Sequence, residues 1–314
     1  MTENEQRQPT GFSSGRNAFA RLTAASTLVL VFAGGLVTST GSALAVPDWP
    51  LSFGQLFPPM VGGVLYEHGH RMIAGTVAIL TATLAFWTWK SEERPLVRRL
   101  AFVALGAVLL QAALGGLTVL LLLPTGISVA HACLGQVFFC LTTALALVTG
   151  RAWLAATPRP AEASTFPGSL AAVTTAVVFL QLFVGALMRH TGAGLAIPDF
   201  PLAFGRIVPD LTSTAVAIHF LHRIGAVVVA GFVLWTTLRV LRGHAREPLL
   251  ARPAFLLTAL VALQILLGGL TIWTGRATVP TTAHVATGAA ILATSLVLTL
   301  RSFHHLEPVR RRAA

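Results

Sequence analysis

The sequence predicts an all-α integral membrane protein in which eight transmembrane helices form two tandem four-helix bundles, related by a pseudo-twofold along the membrane normal. Three observations carry this reading. Hydrophobic residues make up 54% of the 314 positions and charged residues 11%, too little polar surface for a water-soluble fold of this size. Apolar runs of about 20 residues, enough to cross a hydrocarbon core of roughly 30 Å, recur along the whole chain. And the two halves of the sequence repeat each other in several separated blocks.

Taken in order, a tail over 1–17 leads into the first span, Ala18–Thr38. Its basic flank and the following Ala43-Leu44-Ala45 have the look of a signal peptide with a cleavage site. The same segment returns in mid-chain, so it is read as a transmembrane helix followed by a structured external loop. Spans Glu67–Trp89, Val97–Leu123 and Ile127–Thr149 complete an N-terminal bundle over 18–154. A Pro- and Ala-rich linker, 155–168, separates it from a C-terminal bundle over 169–303 with spans Ser169–Met188, Thr214–Leu238, Pro253–Thr274 and Val279–Leu300. A basic tail, 304–314, follows.

The net charge of +11 is a matter of topology, not a nucleic-acid footprint. Arg7, Arg16 and Arg21 lie in or near the first tail; Lys90, Arg94, Arg98 and Arg99 lie between spans two and three. Arg151 and Arg159 follow span four, and Arg239, Arg242, Arg246 and Arg252 follow span six; Arg301 and Arg310 to Arg312 close the chain. The intervening loops hold only Arg189, Arg206 and Arg276. Basic residues on alternate loops place both termini in the cytoplasm by the positive-inside rule, in a multi-pass plasma (inner) membrane protein. Both cysteines, Cys133 and Cys140, fall in span four. Two turns of helix, about 10 Å of rise, separate them and exclude a disulfide; no cysteine lies in an external loop, which excludes a thiol relay there.

The repeat is read from four blocks. Thr40 to Gly54 (TGSALAVPDWPLSFG) matches Thr191 to Gly205 (TGAGLAIPDFPLAFG). Gln111-Ala112-Ala113-Leu114-Gly115-Gly116-Leu117-Thr118 matches Gln264-Ile265-Leu266-Leu267-Gly268-Gly269-Leu270-Thr271. His70-Arg71 matches His222-Arg223, and His131 matches His284. An even number of helices per half gives both halves the same orientation, a parallel repeat. In each half the first external loop is long, rich in Pro and Gly and apolar, with Trp49, Leu51, Phe53, Leu56 and Phe57 in the first; it reads as a lid lying on the membrane.

His70, His131, His222 and His284 sit near the starts of the even helices, at matched depth toward the outer face. Ionisable groups there usually face the bundle interior and serve a function. Imidazole is the common axial ligand of heme iron, so each half supplies one pair of ligands. Glu67, three residues before His70, shares its helix face; its counterpart is His219. A carboxylate there can act as a general base or stabilise a developing positive charge, or simply favour the helix start. Arg71 and Arg223 suit heme propionates, or snorkelling to the interface. Gly34-Gly35, Gly115-Gly116, Gly185 and Gly268-Gly269 favour close helix packing or leave room for a flat macrocycle, packing being preferred. Asp48 and Asp199, between prolines, read as turn residues. His68, His190, His244, His304 and His305 have no symmetric partner and read as interfacial or exposed.

These residues together resemble the heme A synthases of the cytochrome oxidase assembly pathway. The resemblance rests on eight helices in two halves, a Glu-x-x-His-Arg motif at Glu67, His70 and Arg71, His-Arg at His222-Arg223, single histidines in spans four and eight, and Asp48-Trp49-Pro50-Leu51 in the first external loop. It implies oxidation of the C8 methyl group of heme O to a formyl group, giving heme A. His70 and His131 then flank the substrate heme in the N-terminal half, with Glu67 as the catalytic carboxylate. His222 and His284 ligate a permanent heme b in the C-terminal half. Heme O is the implied partner, delivered by a heme O synthase, together with an electron acceptor; a homo-oligomer stays open. Many relatives carry a cysteine pair in the first external loop. Residues 46–59 contain none, which places the chain in a cysteine-free subtype.

Other readings remain. A diheme b-type cytochrome exchanging electrons with quinone explains the histidines but not the Glu67–His219 difference. A transporter is suggested by the repeat, although its polar residues belong nearer the midplane. A di-iron site needs more carboxylates than Glu67 alone.

Overall fold

A computed structural model of the chain describes residues 11–162 and 166–309. Arg7, Arg310 to Arg312 and linker residues 163–165 lie outside the described residues. The helices are α1 (Ser14–Ser39), α2 (Gly63–Ser91), α3 (Pro95–Leu120), α4 (Thr125–Val148), a short α5 (Arg151–Leu154), α6 (Gly168–His190), α7 (Thr214–His244), α8 (Pro248–Trp273) and α9 (Thr278–His305). Eight of these are long and apolar enough to cross a membrane, and each coincides with one expected span. The protein is a multi-pass membrane protein. Large apolar side chains such as Val29, Leu110 and Val227 are exposed on helix surfaces, where lipid rather than water is the favourable neighbour.

Local chemistry sets the helix ends. The Ser13 hydroxyl accepts from Arg16 N–H at the start of α1, and Ser213 does the same for Val216 in α7, each satisfying an otherwise unpaired first-turn donor. Proline opens both α3 and α8, where its missing N–H costs nothing. The sequence reading began span seven at Pro253; the helix starts five residues earlier, and Pro253 sits inside it. Proline there leaves the carbonyl of Leu249 without its helical donor. Arg301 of α9 supplies one, Nη1 donating to Leu249 O at 2.9 Å.

Helix neighbours follow the same pattern in both halves. In the first, α1 packs on α2, α2 on α3, α3 on α4 and α4 on α1; in the second, α6, α7, α8 and α9 close the same ring. Each ring has its own apolar core: Val77, Leu84, Ala104 and Phe138 in one, Val178, Val233, Leu257 and Leu292 in the other. The halves meet through α1 and α4 against α6 and α9, with Phe139, Ala289 and Ala293 in the seam.

At one end of the helices the basic residues gather. Arg16, only 1% exposed, pairs with the buried Glu92 at 2.8 Å, and Arg94 does so from the other side, also at 2.8 Å. Burial pushes the Glu92 carboxyl up, but Arg94 and Arg16 outweigh it and hold it below the ordinary carboxylate value. Beside this end the linker forms a strand that the sequence did not suggest. β1 (Arg159–Glu162) pairs in parallel with β2 (Leu306–Val309), burying Ala161 and Leu306. Four residues are too few to leave a period in the sequence.

Candidate functional site

The opposite end carries the two long loops, residues 40–62 and 191–213, and beneath them the four repeated histidines. The loops share one internal design. Asp48 accepts from the N–H groups of Phe53 and Gly54 at 2.7 and 2.8 Å, and Asp199 accepts from Phe204 and Gly205 at the same distances. These backbone donors, Gly54 and Gly205 foremost, hold both carboxyls below their ordinary values. The turns they close pass through Phe53 and Gly54, and Phe204 and Gly205, all at positive φ, so the glycine is needed for the conformation at no steric cost. Asp48 and Asp199 are turn residues, as the sequence suggests.

Each loop is latched to the start of a helix. Arg71 donates to the carbonyls of Asp48 and Leu51, both at 2.7 Å, and pairs with Glu67 at 2.7 Å. Arg223 donates to Leu202 and Asp199, both at 2.6 Å, and to Ile197 at 3.2 Å. The two guanidinium groups, expected to face propionates or to snorkel, are engaged by loop carbonyls; any further carboxylate competes with these bonds. The second latch lies one turn earlier. The Val46 N–H donates to Glu67 Oε2 at 2.8 Å, and the Ile197 N–H donates to His219 Nδ1 at 3.2 Å. Glu67 and His219, the one conspicuous difference between the motifs, therefore share a loop-anchoring task. The third contact is aromatic: the Trp49 ring lies on Gly116, and the Phe200 ring on Gly269, where a Cβ at either glycine would meet the ring at 2.6 and 3.0 Å.

The other glycines have a different tenant. A Cβ at Gly34 would meet His70 Cε1 at 3.1 Å; at Gly115, His131 Cε1 at 3.1 Å; at Gly185, His222 Cε1 at 3.0 Å; at Gly268, His284 Cε1 at 3.3 Å. Each repeated histidine is thus seated on a glycine of the preceding odd-numbered membrane span. The sequence reading favoured helix packing for these glycines; their purpose in the structure is to admit an imidazole. In the second half the His222 and His284 ring centres are 6.4 Å apart at an interplanar angle of 62°.

Hydrogen bonds to the rings differ between the halves. Gln181 Nε2 lies 3.1 Å from His222 Nδ1 and donates to the His222 carbonyl at 2.7 Å. His284 Nδ1 lies 3.2 Å from the carbonyl of Gln264. In the first half Gln111 Nε2 donates to the His131 carbonyl at 2.8 Å, but the Nδ1 atoms of His70 and His131 are buried with no partner among the described residues. Sequence reasoning missed these glutamines. Gln111 and Gln264 stand in its repeat block; Gln181, alone in an apolar span, gave no repeat signal.

Two of the remaining histidines correct the sequence reading. His68, expected at the interface or exposed, is buried and hydrogen-bonded to Ser52 Oγ at 2.8 Å. His244 is buried as well. His304 stacks on Trp153 with ring centres 3.7 Å apart.

The donor set tests what these sites could hold. Among the described residues no three His, Cys, Asp or Glu gather as a site for a bare metal ion. Iron already carried in a porphyrin needs only two axial ligands, and two imidazoles on one metal at bonds of about 2 Å have ring centres roughly 6 Å apart. The His222–His284 separation fits that arrangement. The glycine seats fit it too, since they give each imidazole a fixed place inside the apolar bundle.

Residues 63–296, from the start of α2 to within α9, match the family described as cytochrome oxidase assembly protein, COX15-CtaA. The chain belongs to that family. Among curated proteins it is similar to the heme A synthase of Symbiobacterium thermophilum, 33% identical over 269 residues, covering 81% of this chain and 85% of the relative. It is also similar to the heme A synthases of Shouchella clausii, 30% identical over 227 residues (68% and 74%), and Listeria welshimeri, 30% identical over 252 residues (79% and 82%). In this assembly-protein family the matched region takes in all four glycine-seated histidines and the second loop.

Proposed function

We propose that the protein is a heme A synthase, an oxidoreductase that converts the C8 methyl group of heme O to the formyl group of heme A. The observation that carries this is the set of paired histidines on glycine seats, one pair in each half, within a chain whose relatives bear that name. In this reading His222 and His284 hold a resident heme b, and His70 and His131 flank heme O. The resident heme supplies electron transfer; everything else falls to the chain. The glycine seats orient the imidazoles, the apolar helices enclose the macrocycle, and the latched loops shield its edge from water. With water as the source of the formyl oxygen, the conversion releases four electrons and four protons, and an acceptor beyond the protein takes the electrons.

Glu67 is the proposed catalytic carboxylate, one turn from His70. Both of its oxygens already accept hydrogen bonds, from Val46 and Arg71, which suits a fixed negative charge opposing developing positive charge better than a free base. The charge pattern supports cytoplasmic termini in an inner membrane and heme sites toward the outer face. The two bundles, 18–154 and 169–303, are then a substrate domain and a cofactor domain related by a pseudo-twofold. A heme O synthase is the proposed donor of substrate.

Pigment extraction tests this. Protein purified after co-expression with a source of heme O is extracted with acid acetone and the hemes are identified by chromatography and mass spectrometry. Heme B together with heme O or heme A, with the formyl product present only when Glu67 is intact, is the expected result. Heme B alone, unchanged by supplied heme O, replaces the proposal with a diheme electron-transfer cytochrome.

A further inference from the structure

The four histidine seats share a second position. One turn before each seat glycine stands Leu30, Gln111, Gln181 or Gln264. Near each histidine on its own helix stands the residue facing it: Ile73, Gly135, Gly225 or Gly288. The exchanges are concerted. A Cβ at Gly225 would run into the Gln181 amide oxygen, and a Cβ at Gly135 or Gly288 would meet Gln111 Nε2 at 3.1 Å or Gln264 Nε2 at 3.3 Å. Glycine makes room for glutamine at Gly225 and Gly135, and at Gly288 for Gln264 together with the closer Leu182. At the fourth, Leu30 and Ile73 fill the space with apolar atoms and join one cluster.

His70 consequently lacks what the others have. Gln181 ties the backbone of His222 and reaches its ring, Gln111 ties the backbone of His131 with its amide 3.4 Å from the ring Nε2, and the ring of His284 meets the backbone carbonyl of Gln264. Leu30 has no side-chain donor to offer; the Nδ1 atoms of His70 and His131 are both buried without a partner among the described residues, but only the His70 seat lacks an amide side chain one turn before its glycine. An amide serves either state of the neighbouring ring: its N–H to a bare Nδ1, or, turned over, its oxygen to an Nδ1–H, the form that leaves Nε2 for iron. Such outer hydrogen bonds fix the ring and strengthen the metal bond, and losing one typically costs about 10–100-fold in affinity.

We propose that the Gln181–Gly225 pair, replaced in the first half by Leu30–Ile73, makes His222 a fixed heme ligand and His70 a releasable one, through which a porphyrin substrate enters and leaves. The proposal rests on the heme reading given above. Gln181 is a positioning residue, acting on iron only through His222.

The test measures heme loss from the full-length protein in detergent to excess apomyoglobin, followed by the Soret band, with electron paramagnetic resonance reporting the axial ligation. Gln181→Met keeps the volume and removes the amide. It is expected to release the second-half heme about 10–100-fold faster and to shift the low-spin signal. The graft Leu30→Gln with Ile73→Gly is expected to raise the heme-to-protein ratio and slow the loss from the first half. Wild-type release rates and signals in Gln181→Met overturn the proposal while leaving the heme reading intact, and so does a graft that folds, by circular dichroism, yet retains no more heme. A wild-type protein that carries no heme overturns both.

Discussion

The two halves share the contacts that close each loop and seat each histidine, and among their many sequence differences a few fall at those contacts. Loop turn, arginine latch, aromatic contact and glycine seat recur on both sides with distances that agree within a few tenths of an ångström. Three exchanges break the likeness: Glu67 for His219, Ser52 and His68 for Ala203 and Phe220, and Leu30 and Ile73 for Gln181 and Gly225. The first two give the first half more polarity at the loop, and the third gives it less beside His70. The second half buries Ile197, Ala203 and Val216 against Phe220 where the first has the Ser52–His68 hydrogen bond. The shared contacts keep the geometry of loop and seat, and the exchanged residues are matched by changes in their neighbours.

That comparison can be broken in several ways, the most drastic being removal of a ligand. His284→Ala and His222→Ala are expected to abolish heme b retention, read as loss of the low-spin spectrum, whereas His70→Ala leaves it. Glu67→His comes next, since it gives the first half the second half's loop anchor. It should leave fold and pigment intact but eliminate the formyl product; normal product from this variant removes Glu67 from the chemistry. Arg71→Gln should loosen its loop more than Arg223→Gln, because it also strips Glu67 of its cation. Hydrogen bonds to charged groups contribute about 1.5–3 kcal/mol each, and limited proteolysis within residues 40–62 and 191–213 reads the difference. Gly185→Ala crowds a ring held by Gln181, while Gly34→Ala crowds one that has nothing holding it. The first should cost about 1–3 kcal/mol of thermal stability in detergent and the second less. The smallest effect is acid. The Asp48 and Asp199 carboxyls are lowered in the folded loops, so their contribution is complete above the ordinary value of 3.8 and fades as pH falls through the depressed one. Both loops should open to protease together; one opening well before the other would show that their shared turn is not what closes them.

The sequence made much of this legible and for identifiable reasons. All eight spans appear because a membrane core demands uninterrupted apolar length, and their ends moved by only a few residues. Pro253 misled because proline was taken as a start when Arg301 could satisfy the carbonyl it strands. The four histidines and the seat glycines Gly115 and Gly268 were visible as repeats, and Glu67 as a departure from one; what the glycines seat was not visible, because a small residue in a helix admits a neighbouring helix or a ring equally well. Arg71 and Arg223 were read toward propionates or toward the interface, yet carbonyls of loops 20 or more positions away take their donors. His68 escaped notice since its partner, Ser52, is 16 residues distant in a loop whose conformation no local pattern states. The Leu30–Gln181 exchange was out of reach for the same reason: it acquires meaning only when Ile73 and Gly225 are seen across the helix interface.

The pairing of β1 with β2 bears on synthesis. The segment between the halves is complete before the second half is made, but its partner strand, Leu306–Val309, emerges only after α9. During translation the β1 edge must therefore wait, with Ala161 uncovered, until the last helix has been threaded into the membrane. Closure of this small sheet therefore follows the insertion of α9. A protein stopped anywhere before residue 306 leaves Arg159–Glu162 without the strand it pairs with.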